Sequence, residues 1–196
     1  GKGEIFLPVP RDRDQVFLKV DGLVPRLLMN KWAIREIENY GYEIRDLRGL
    51  NIKGFPLDQR LLSGLELEEW EAVAREVQLG LTDAAIEAGI AGLPPAIYAQ
   101  SADRIIPRLK QRRDDLLTYA HEYYGMQVRE VEIIGSDKHE RYEIERGEDG
   151  RVEITGFKIK KEGDKVKEIY HRTFDPALTR EINLYALGGN DQFVVR

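Results

Sequence analysis

Leu116-Leu117-Thr118-Tyr119-Ala120-His121-Glu122-Tyr123-Tyr124-Gly125 closes the segment whose reading decides the fold. Up to Gly125 the apolar residues recur at helical spacing, and beyond it Val131-Glu132-Ile133 begins an alternation of period two. Gly125 is the kind of residue that ends a helix in left-handed geometry. The expectation is therefore α+β. A strand segment and mainly helical domain occupy residues 1–125, and an antiparallel, sandwich-like β domain occupies residues 126–196.

Upstream of this junction the helical signals are dense. Leu67, Trp70, Val73 or Ala74, Val77 and Leu81 form an apolar stripe, and Glu66, Glu68, Glu69 and Glu71 suit a helix start. Asp58 reads as the N-cap of a short helix through Leu62, and Thr82 as the cap of another that Gly89 and Gly92 end. After the break at Leu93-Pro94-Pro95, Ser101 opens the longest helix, with Ile105, Leu109, Leu116, Ala120 and Tyr123 on one face. Pro107 must start or kink it. Nearer the N-terminus, Glu4 to Pro10 and Val16 to Val20 read as extended, with a turn at Asp21-Gly22. A short helix follows Pro25, and residues 32–50 show no clear period.

Downstream, Val131/Ile133, Tyr142/Ile144, Val152/Ile154, Val166 to Phe174, Ile182/Leu184/Ala186 and Phe193 to Val195 predict about six strands. Glu148-Asp149-Gly150 and Glu162-Gly163-Asp164 are turn signals. At Gly156 the apolar phase flips, which is the mark of a bulge.

The 196 residues carry a net charge of −5, with 42% apolar and 33% charged residues. Nucleic-acid binding needs clustered excess cations, so this balance argues against it. Without a cysteine the chain has no disulfide, no thiolate metal site and no cysteine nucleophile. Its apolar runs fall short of the roughly 18–20 residues of a transmembrane helix. Starting at Gly1-Lys2-Gly3 without Met and ending at Val194-Val195-Arg196, it is expected to be a piece of a longer protein.

Arg11-Asp12-Arg13-Asp14 is the sharpest chemical signal. On an extended segment Asp12 and Asp14 face the same way, which suits a hard divalent cation, Mg2+ or Mn2+, or else surface ion pairs with the arginines. Arg108, Lys110, Arg112 and Arg113 make a basic helix face, read as solvated beside Asp114 and Asp115. His121, His139 and His171 stand apart, without metal-ligand spacing. Gly188-Gly189-Asn190-Asp191-Gln192-Phe193 is similar to one calcium β-roll repeat but lacks its third glycine, so a glycine-rich hairpin loop is expected. No P-loop, Gly-x-Gly-x-x-Gly or Gly-x-Ser-x-Gly occurs.

Two stretches, Pro8 to Phe17 and Arg172-Thr173-Phe174 with Thr179 to Phe193, resemble segments of large bacterial envelope proteins. Those proteins join a calcineurin-like metallophosphoesterase to a surface-antigen-type outer-membrane barrel. The resemblance implies a cell-envelope location, on the periplasmic or surface side, and other domains of the parent chain as partners. The helical part also resembles the C-terminal lobe of CotH-type atypical kinases, through Leu109-Lys110-Gln111-Arg112-Arg113. That second likeness implies that Asp12 or Asp14 binds a metal with nucleotide, the catalytic Asp lying upstream of Gly1. The expected function is a non-catalytic connecting and interaction region. The alternative is the C-terminal half of a kinase-like phosphotransferase, and binding of a polysaccharide or peptide by the β module is a third course.

Overall fold

The computed structural model describes residues 16–29, 34–160 and 164–196. Helices come first: α1 (Leu23–Leu28), α2 (Leu47–Leu50), α3 (Phe55–Leu62), α4 (Leu67–Gly80), α5 (Asp83–Ala91), α6 (Pro95–Asp114) and α7 (Leu116–Gln127). The strands β1 (Glu130–Ile134), β2 (Glu140–Arg146), β3 (Val152–Ile159), β4 (Lys165–Phe174), β5 (Glu181–Tyr185) and β6 (Gln192–Val195) follow. The class is α+β, as the change of period implies. Contacts group the chain into two compact units, Gly1–Leu50 with Asp83–Arg112, and Asn51–Thr82 with Arg113–Arg196. Helices and strands share the second unit.

Several helix ends differ from expectation. Asp58 lies inside α3, which starts after Gly54 with Pro56 in its first turn. α6 begins at Pro95, whose missing N–H costs nothing at a first helical position, so Pro107 is interior. Gly125 lies within α7, which runs to Gln127 and is capped at Val128. Tyr123 and Val128 are buried on either side of it, and their packing carries the helix through the glycine. At α4, by contrast, the acidic start acts as read: the Glu66 N–H donates to the Glu69 carboxylate (2.8 Å), one half of a capping box.

The first unit has a small core of Ile90, Ala102 and Ile105 with Phe17, Leu93 and Ile106 against it. The run Val16 to Val20, expected as a strand, joins no ladder. The Asn39 side chain takes the place of a partner strand, accepting the Val20 N–H (2.6 Å) and donating to the Val20 carbonyl (3.0 Å).

In the second unit Trp70 meets Tyr123 and Tyr124 at 5.9 and 6.2 Å, and Phe55 meets Tyr123 edge-on, joining α4, α7 and α3. Among the described residues six strands form as expected, but in one parallel pair and one mixed sheet. β1 pairs β5 in parallel, while the other sheet runs β4-β3-β2-β6, with β2 and β6 parallel. The antiparallel expectation thus holds only for β2–β3 and β3–β4. Alternation along one strand fixes its faces but carries nothing about its partner's direction, which explains the difference. The β3–β4 register slips between Gly156 and Phe157, where a Cβ would lie 2.9 Å from the Tyr142 ring. Val131, Ile133, Tyr142, Ile154 and Phe174 form the core.

Candidate functional site

Asp12 and Asp14 lie outside the described residues. Among the described residues, no group of three or more His, Asp or Glu side chains is arranged to hold a metal ion. The histidines each have a local partner. His121 meets Glu71 at 2.7 Å and His171 meets Glu153 at 2.8 Å, while the His139 Nδ1 accepts the Asn190 N–H. The hydrogen bond to His121, with a second from Arg75, holds the Glu71 carboxyl below its usual range.

The basic run is not simply solvated. Lys110 bridges Asp83 (2.9 Å) and Glu87 (2.6 Å), and the bond to Glu87 raises its pKa. Arg112 stacks 4.2 Å over the Tyr40 ring and donates to the Gly41 carbonyl (3.0 Å). Arg108 donates to the Arg104 carbonyl and lies over Tyr42. In the second unit Arg113 reaches the Leu81 carbonyl and Asp114. Each of these cations binds its own chain.

The Gly188-Gly189-Asn190-Asp191 loop is a crossover between the two sheets rather than a hairpin, since β5 and β6 have different partners. It locks onto the β1–β2 connection. The Asp191 carboxylate accepts the Glu140 N–H (2.8 Å), and Gly189, at φ +98°, lies where a Cβ would meet the Lys138 carbonyl at 2.5 Å. The Glu140 carboxylate is buried and accepts the Ser136 hydroxyl (2.6 Å) and N–H and the Tyr142 hydroxyl (2.9 Å). Burial, reinforced by Glu140, pushes the Tyr142 pKa up.

Deeper in the second unit Arg172 is 3% exposed and has no carboxylate partner among the described residues. Its guanidinium donates to the Ser63 carbonyl at the end of α3 and to the Tyr124 hydroxyl (3.1 Å), and lies over the Phe174 ring. The negative end of the α3 dipole offsets part of its charge. A cavity of about 10 Å3, large enough for one water, is lined by Arg172 and Gln127. Among the described residues the Arg172 Nε and both polar atoms of the Gln127 amide make no well-formed hydrogen bond, although the amide lies close enough to the Tyr123 hydroxyl to influence it.

This unit also has a hollow of about 620 Å3 between the two sheets. Its floor is Ile144, Val152, Ile154, Phe174, Ile182 and Leu184, and Arg146, Arg180 and Glu181 also line it. Strand alternation explains the set, because Tyr142, Ile144 and Arg146 share one face of β2, and Arg180, Ile182 and Leu184 share one face at β5. Each apolar row therefore runs into an arginine. Neither arginine has a side-chain partner among the described residues. The sequence carried this signal in Ile144-x-Arg146 and Arg180-x-Ile182, but without the pairing of the strands the two rows could not be brought face to face. No protein-family model, no curated protein and no solved structure matches the chain.

Proposed function

We propose that this chain is a non-catalytic connecting and interaction region of a larger multidomain protein of the bacterial cell envelope. The observation that carries the reading is what the resembling residues do. In the stretch from Arg172 to Phe193, Arg172 and Phe174 are buried, Ile182 and Leu184 pack on the core, Gly189 permits the loop crossing and Asp191 ties it to β2. Side chains occupied in this way serve the fold and not a reaction centre, which supports a connecting role. The basic run and the histidines, the other groups with reactive potential, are bonded within their own units.

The test is calorimetric titration of the chain with ATP–Mg2+ and with Mn2+ alone. A connecting region gives no saturable heat with either. Saturable binding at millimolar concentration or tighter, abolished by Asp14→Asn, overturns the reading in favour of a kinase-like phosphotransferase built on Asp12 and Asp14.

A further inference from the structure

We propose that the hollow between the two sheets binds a free single-chain fatty acid, its hydrocarbon on the floor and its carboxylate between Arg146 and Arg180. Three observations converge on this occupant. The first is volume: about 620 Å3 lies within the range of sites that enclose small ligands. The second is the floor, where Ile144, Ile154, Phe174 and Leu184 offer no hydrogen-bonding side chain. A peptide laid there would bury amides against hydrocarbon, whereas an acyl chain has none to bury. The third is charge. Arg146 and Arg180 continue the apolar rows and lack side-chain partners among the described residues, while Glu181, which also lines the hollow, accepts the Asn183 side-chain amide (2.9 Å). The planar guanidinium matches a carboxylate in geometry and sign.

The half-buried state of Ile144, Val152, Ile182 and Leu184 agrees with a face left open. Two strands in one sheet stand against four in the other. Such a site is independent of the connecting role proposed above, because a transferase and a connecting region could equally carry it.

Titration of the full chain with octanoate, decanoate and dodecanoate, each below its micelle concentration, tests the proposal. Affinity should rise about fourfold per added CH2. The matching alcohols should bind about tenfold more weakly, and the Arg146→Gln/Arg180→Gln double variant should bind acid and alcohol alike. Leu184→Trp, checked for folding by circular dichroism, should block binding by filling the hollow. Affinity independent of chain length, or equal affinity for acid and alcohol in the unaltered chain, overturns the proposal. So does self-association that dodecanoate leaves intact and Leu184→Trp abolishes, because the occupant would then be a second copy of the chain.

Discussion

The guanidinium of Arg172, on β4, donates to the carbonyl of Ser63, the residue that ends α3. One long side chain thereby ties a helix end to a strand inside the second unit. The Tyr170 hydroxyl donates to the same carbonyl at 3.1 Å, so that oxygen keeps a partner if Arg172 is removed. Arg172→Ala is expected to cost about 3 kcal/mol, combining a cavity with an unpartnered Tyr124 hydroxyl. Arg172→Met should cost only about 1 kcal/mol, because replacing a buried charge by an apolar side chain of similar volume removes its desolvation penalty. Urea unfolding of both variants measures the difference, and equal losses would show that the bonds outweigh the volume.

Gln127 presents the opposite case, a buried amide beside the Tyr123 hydroxyl whose nitrogen and oxygen make no well-formed hydrogen bond among the described residues. Gln127→Leu is expected to stabilise the protein by about 1 kcal/mol. That corresponds to a rise in Tm of about 2–4 °C for a chain of this size. A loss instead would mean that a water in the adjoining cavity satisfies the amide.

Two glycines should respond in opposite directions to alanine. Gly125 lies within α7, and nothing comes within 4 Å of the place a Cβ would take there, so Gly125→Ala should add about 1 kcal/mol of stability. Gly189 combines φ +98° with a Cβ position 2.5 Å from the Lys138 carbonyl, and Gly189→Ala should cost about 3 kcal/mol. Thermal melts of the two variants give both signs. Destabilisation by Gly125→Ala would return Gly125 to the helix-ending role that its sequence context suggests.

Alkaline pH should weaken the second unit. Burial is the main cause that pushes the Tyr170 hydroxyl up to about 12, partly opposed by Arg172, and burial also raises Tyr123 and Tyr142. An unfolded tyrosine ionises near pH 10, so above that pH the unfolded chain gives up protons that the folded chain retains. Stability is therefore intact below about pH 10 and falls as pH rises through about 12. Denaturant midpoints across this window should decline, and the decline should be shallower in Tyr170→Phe. An unchanged slope would remove Tyr170 from the account.

The six strands, the acidic start of α4 and the bulge at Gly156 were legible because each depends on neighbours in sequence. Alternation, capping and a single flexible residue are local properties. Gly125 misled as a helix end, and Pro107 as a helix start, for the complementary reason. Both are breakers by propensity, and packing of residues such as Ile105 and Tyr123 holds the helices through them. The basic run from Arg108 to Arg113 showed its charge but not its partners, which lie in distant parts of the chain such as Tyr40, Asp83 and Leu81.

The sequence by itself determined the α+β class and the order of helices before strands, because periods of 3.6 and two are written along the chain. Only the tertiary structure decided that β1 pairs β5 and β2 pairs β6 in parallel, and with that pairing the hollow lined by Arg146 and Arg180. The reason is physical: a period selects which face of a strand is buried, whereas long-range pairing selects what that face meets.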